Sequence, residues 1–245
     1  MRIQEGQSRP PLYILPGNLG NVFTDLGYLV QHLGADQPVF GLQDGLGRPS
    51  KVEALAAYYV DEMLHVQSAG PYYLAGICSG GTVAFEMAQQ FLRQGQRVAF
   101  LALIEPASPS LPASRSYSNV IRGLWARAKE GASRHLGSIS KLDRADRVAY
   151  LRLRMKVIAN IRALRHYCPQ PYPGRLDLFL TRESIDRSHA VDWCNFAVGG
   201  TNIHEIAGTH RDITGDHATI QESHMQVLGA KLKACMDRVL DDPQT

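Results

Sequence analysis

Long apolar runs are missing from this chain of 245 residues, and none approaches the roughly 20 residues that a bilayer-spanning helix needs. The opening MRIQEGQSRP lacks an apolar stretch able to serve as a signal h-region, so a soluble cytoplasmic protein is the expectation. Cysteine is sparse. Its four copies, Cys78, Cys168, Cys194 and Cys235, lie far apart and form no C-x-x-C pair. That spacing points away from a zinc site, a redox dithiol or a disulfide framework, and no metal or cofactor is expected. Internal repeats and low-complexity tracts are lacking too. With 44% hydrophobic and 20% charged residues, intrinsic disorder is excluded and a sizeable core is allowed.

Net charge is small, +3 from 26 Lys+Arg and 23 Asp+Glu, but that total is a cancellation. Residues 107–170 hold thirteen Lys and Arg, from Arg115 to Arg165, against only Glu130, Asp143 and Asp146. The block carries +10 and the remainder −7. It has no regularly interleaved aromatics and no nucleic-acid motif, so neither nucleic acid nor membrane is expected as a partner. Solvated helix faces or an anion-facing surface would each account for it.

Short apolar runs alternate with segments at helical spacing, the pattern of a mostly parallel α/β sheet covered by helices on both faces. Strands are expected at Leu12 to Leu15, Pro38 to Leu42, Tyr72 to Ile77, Val98 to Ile104, Leu176 to Leu180 and Asn202 to Ile206. Val98 to Ile104 is the most continuous apolar run and is expected at the centre. Helices are expected ending near Leu33, presenting Leu55, Tyr59, Met63 and Val66 on one face, carrying Val83, Met87 and Phe91 before Gly95, and running from about Asp216 to Val239. From 107 to 170 no strand interrupts the helical pattern. The division is therefore a core of residues 1–106 and 171–245 with a helical insertion at 107–170.

The sharpest local signal is Gly76-Ile77-Cys78-Ser79-Gly80-Gly81, between an expected strand and an expected helix. A nucleophile elbow requires small residues two positions either side of the nucleophile, because the chain turns sharply there. Gly76 and Gly80 meet that requirement, and Gly81 follows. The turn sets the Cys78 sulfur at a helix N-terminus, where the positive end of the dipole favours a thiolate. The competing reading is an inert cysteine beside two glycines.

With these residues the chain resembles the thioesterase domains that end nonribosomal peptide and polyketide synthases, members of the α/β-hydrolase fold. PYYLAGICSGGTVAFEMAQQF is similar to the family's elbow and following helix, PLYILPGNLGNVF to its oxyanion loop and QPVFGLQ to a recurrent strand. PYPGRLDLFLT resembles the strand re-entering the core after the lid, and WCNFAVGGTNIHEIAGTH the stretch ending at the catalytic histidine. One departure stands out: the family usually places serine where this chain has Cys78.

The resemblance implies a helical lid at 107–170 and a set of catalytic roles. His210 is implied as base by the strand-G-x-H ending, with His217 as rival and His224 nearby. Glu105, just after the strand that follows the nucleophile helix, is implied as the acid, although aspartate is usual there. Glu183 and Asp186, after the next strand, are the alternatives. The N–H of Ser79 is one implied oxyanion donor, and Asn18 or Gly17 in the first loop the other. The implied activity is release of an acyl or peptidyl chain from a carrier-protein phosphopantetheine onto Cys78, then cyclisation, aminolysis or hydrolysis. A stand-alone editing thioesterase, a small-molecule esterase and a catalytically silent binding module remain open alternatives.

Overall fold

A computed structural model describes residues 1–17, 26–43, 51–107, 109, 162–164, 166–187, 189–214 and 221–241. The expected apolar runs become strands β2 (Leu12–Leu15), β3 (Val39–Gly41), β4 (Tyr72–Ile77), β5 (Val98–Ile104), β6 (Leu176–Thr181) and β7 (Thr201–Ile206), joined by a short N-terminal β1 (Arg2–Gln4). They form one seven-stranded sheet in the order β1-β3-β2-β4-β5-β6-β7. Every pairing is parallel except that of β1, which runs antiparallel to β3 along one edge. Three residues with no apolar alternation left β1 without a sequence signal.

Parallel strands are covered on both faces, so they read as continuous apolar runs, while their side chains still alternate between two cores. On one side Tyr13, Leu74, Leu101, Leu103 and Leu178 pack against helices α2 (Val52–Val66) and α3 (Ser79–Arg93). On the other, Ile14, Ala75, Ala102, Ile104 and Phe179 meet helix α1 (Gly27–Gln31) and the long C-terminal helix α7 (Glu222–Asp241). In α2 the buried residues are Val52, Ala56, Tyr59, Val60 and Met63, a single helical stripe. Val66, expected on that stripe, is 60% exposed at the last position of the helix. Three short helices, α4 (Arg182–Asp186), α5 (His189–Cys194) and α6 (His210–Thr214), follow β6 and β7. Among the described residues no helix is long and apolar enough to cross a membrane.

The expected lid lies outside the described residues except at its margins, and of its Lys and Arg residues only Arg162 is described. Both margins are fastened to the core. The indole N–H of buried Trp193 donates to the carbonyl of Ala107 at 3.1 Å. The Tyr167 hydroxyl donates to buried Glu86 on α3 at 2.8 Å, and the Gln89 amide donates to the Gln170 carbonyl at 2.9 Å.

Candidate active site

Strand β4 ends at Ile77 and helix α3 begins at Ser79, which leaves Cys78 alone to turn the chain. It does so at φ 52° and ψ −118°, a region that non-glycine residues occupy only under constraint from their surroundings. That constraint is visible: its N–H donates to the Ile104 carbonyl at 2.9 Å and its carbonyl accepts from Gly81 N–H at 3.1 Å. Among the described residues the only other non-glycine at positive φ is Glu105, at φ 47°. Both sit at the C-terminal ends of adjacent central strands, β4 and β5.

The glycines around Cys78 are required by space rather than by φ. A Cβ on Gly76 would stand 2.3 Å from the Gly80 carbonyl oxygen, and one on Gly80 would stand 2.5 Å from that of Pro16. Because backbone cannot yield as a flexible side chain can, Gly76→Ala is expected to destabilise the fold by roughly 3 kcal/mol. Gly81→Ala, whose Cβ would lie 3.2 Å from its nearest neighbour, should be distinctly milder. Urea denaturation of the two variants checks the ranking, and equal midpoints would show that the backbone around Gly76 yields to an added Cβ.

Glu105 is buried to 1% exposure, yet its carboxylate is fully partnered. Oε1 accepts the Thr181 N–H at 2.6 Å, while Oε2 accepts the Ser184 hydroxyl at 2.7 Å and the His210 Nδ1–H at 2.7 Å. Burial pushes the carboxyl toward its neutral form, but the hydrogen bonds from His210, Thr181 and Ser184 outweigh it and hold the pKa below the usual carboxylate range. An ionised carboxylate only accepts, so Nδ1 carries a proton and the tautomer is set. His210 opens helix α6 just after β7, where the Thr209 N–H and hydroxyl both donate to Asp212, at 2.7 and 2.8 Å. Burial opposes charge on His210. Hydrogen bonds to Cys78 and Glu105, and the charges of both, prevail and push its pKa up to about 10. The imidazole nevertheless stays 45% exposed and within reach of an incoming molecule.

A thiol, an imidazole in contact with it and a buried carboxylate behind it are the parts of an acyl-transfer site. The family model for the thioesterase domain matches residues 26–227 of this chain. The chain belongs to the thioesterase domain family.

As a thioesterase domain it is 30% identical to the malpinin synthetase of Mortierella alpina over 244 residues, 94% of this chain but 3% of that protein. It is 28% identical to a non-reducing polyketide synthase of Pseudevernia furfuracea over 176 residues, 68% of this chain and 8% of that protein. The chain thus spans a small fraction of these relatives. The NocB thioesterase domain, solved in covalent complex with a fluorophosphonate nocardicin G analogue, superposes with a TM-score of 0.68 at 20% identity. That superposition covers 96% of each chain and shows a shared α/β-hydrolase fold.

Of the site residues expected in this thioesterase domain, Cys78, Glu105 and His210 come together, although Glu105 and His210 alone lie 105 residues apart in the chain. Glu183 and Asp186 do not join them: both are exposed on α4, and Glu183 pairs with Arg187. His224 turns its buried Nδ1 against Gly208 instead of toward Cys78, and His217 lies outside the described residues. Ser79 opens α3, where the first N–H groups have no acceptor within the helix. Gly17 lies against the nucleophile candidate, its Cβ position 3.4 Å from Cys78 Cβ, while Asn18 lies outside the described residues. Sequence reasoning missed Ser184 and Thr181, the two groups that aim Glu105. The available signal was Thr181-x-x-Ser184 after a strand, a helix start in which Thr181 caps the Ser184 N–H.

Proposed function

We propose that this thioesterase domain takes an acyl or peptidyl chain from a carrier-protein phosphopantetheine onto Cys78 and releases it to a second nucleophile. The observation that carries the reading is the strained Cys78 in hydrogen-bonding contact with an imidazole that buried Glu105 orients. The Cys78 thiol gives its proton to His210 as Sγ attacks the thioester carbonyl carbon, the bond to the pantetheine sulfur breaks, and the leaving sulfur takes that proton from His210. In the second half the incoming nucleophile gives its proton to His210 and attacks the acyl carbon, and the Cys78 sulfur departs with that proton. The N–H groups of Ser79 and of Gly17 or Asn18 are assigned to the oxyanion, where one donor is typically worth about 3 kcal/mol. Nothing in this scheme calls on a cofactor of the domain's own.

A cysteine nucleophile makes the acyl-enzyme a thioester, close in energy to the substrate, so the chain stays activated. An amine or hydroxyl within the chain can then compete with water, and cyclisation or aminolysis is the favoured outcome. Mass spectrometry of products from a carrier-bound peptidyl mimic tests this: cyclic or amidated product is expected, and linear acid alone would reject it.

The basic block at 107–170 supports a carrier partner, since carrier arms bear a phosphate and carrier domains are generally acidic. Reversing the charge of Arg122, Arg127 and Arg134 together is expected to raise KM for carrier-bound substrate several-fold while leaving a small soluble thioester unaffected. Equal losses on both substrates would assign those arginines a structural role instead.

A further inference from the structure

A second cluster of reactive side chains lies away from the site just described. Asp177 on β6, His204 on β7 and Cys235 on α7 converge so that one donor atom from each falls within 4.8 Å of the others. The His204 Nε2 is 2.6 Å from Asp177 Oδ1 and 3.5 Å from Cys235 Sγ. Asp177 and Cys235 are buried, at 6% and 4% exposure, against the apolar core beneath α7. Asp177 precedes Thr181 by four residues on β6, so the cluster stands about 13 Å along the strand from the Glu105 contact.

The arrangement is not a second relay. In the active site the histidine uses Nδ1 for its carboxylate, whereas here oxygen and sulfur approach the same ring nitrogen. Three donors therefore face one point. We infer that Asp177, His204 and Cys235 form a divalent transition-metal site, with zinc as the ion that suits one sulfur, one nitrogen and one oxygen. With zinc bonds of roughly 2.3 Å to sulfur and 2.1 Å to nitrogen and oxygen, tetrahedral geometry sets S and N roughly 3.5 Å apart and N and O roughly 3.4 Å apart. The first separation already exists, and Asp177 has to retreat by roughly 0.8 Å once the metal replaces the proton between it and His204.

Two anionic donors balance a divalent ion. The surroundings supply outer contacts: the Asn202 amide donates to Asp177 Oδ1 at 3.3 Å, the Arg238 guanidinium donates to Cys235 Sγ at 3.0 Å, and the Phe179 ring stacks on His204 at 4.6 Å. A bound ion would clip α7 to the β6–β7 edge, which otherwise holds that helix through apolar packing and the Lys231–Glu205 backbone contact. Sequence spacing gave no hint, because the Asp177–His204 and His204–Cys235 pairs are 27 and 31 residues apart.

The test is reconstitution of the full chain, stripped with a chelator, using Zn(II) alone and then Co(II) alone. Expected are one zinc per chain retained through gel filtration, a thiolate-to-cobalt charge-transfer band, and a Tm raised by roughly 5–10 °C at a hundredfold excess over Kd. Asp177→Asn and Cys235→Ser should lose all three, whereas Cys78→Ala, which alters the other cysteine–histidine pair, should keep them. Absence of uptake by the wild-type chain overturns the proposal, and so does uptake that survives in Asp177→Asn and Cys235→Ser or disappears in Cys78→Ala. If Cys235→Ser does not fold, the wild-type cobalt spectrum decides alone, since a bound ion without a thiolate band excludes Cys235 as ligand.

Discussion

Cys78→Ala is expected to lower kcat by about a millionfold and to abolish the covalent acyl adduct, and His210→Ala to cost nearly as much. In the proposed reaction sulfur and imidazole act as one unit, so the double variant should be no worse than either single one. The residual rate would be that of a site which still binds and polarises the thioester through its oxyanion donors. The fold should persist in both, since Cys78 is only partly buried and His210 keeps 45% of its side chain in solvent, so neither change opens a large cavity. Intact mass after incubation with an acyl thioester, read beside the thermal midpoint, separates chemistry from stability. An adduct of undiminished yield in Cys78→Ala would transfer the nucleophile elsewhere.

Glu105→Gln is the second large effect, with kcat expected to fall by about 10^3 to 10^4. The carboxylate fixes the His210 tautomer by accepting from Nδ1, and an amide can present a donor there instead. It also leaves the Thr181 N–H and the Ser184 hydroxyl competing for a single oxygen in a buried setting, so a loss of about 1–3 kcal/mol of stability should accompany the kinetic one. Ser184→Ala removes only a positioning contact and should lower kcat modestly while shifting its pH profile.

The pH dependence follows from the same triad. With its pKa pushed up to about 10, His210 holds a proton at neutral pH, ready for the departing sulfur. The profile of kcat/KM, which reports the free enzyme, is therefore expected to decline as pH rises through about 10. In an acyl-enzyme on Cys78 the thiol no longer hydrogen-bonds His210 as in the free domain, so one cause of the raised pKa is removed and kcat is expected to follow a lower pKa. For stability the signs are opposite. The raised pKa of His210 stabilises the fold fully below about 6.5 and loses its contribution as pH rises through about 10. The lowered pKa of Glu105 stabilises it above the ordinary carboxylate range and is lost as pH falls through the depressed value. His210→Ala should accordingly lose more stability near neutral pH than at pH 10. Identical losses at both would show that the Glu105–His210 pair is not ionised as described.

The sheet and the nucleophile turn were legible in the sequence because their causes are local. Val98 to Ile104 reads as a buried strand since parallel strands are covered on both faces, and it is one. Gly76 and Gly80 reveal the elbow because the crowding that forbids a Cβ at either arises within a few residues or from the adjacent strand end. The positive φ of Cys78 follows from the same turn.

Only the tertiary structure chose among carboxylates. Glu105, Glu183 and Asp186 each follow a strand in sequence, and it is the parallel register of β5 with β6 that turns Glu105 toward Thr181 and His210 while leaving the other two in solvent. Ser184 acquires its role across 79 residues, and Asp177, His204 and Cys235 converge across two strands and a helix. Contacts of that kind depend on strand register and helix docking, which arise from packing summed over the whole sheet. No short stretch of sequence carries them.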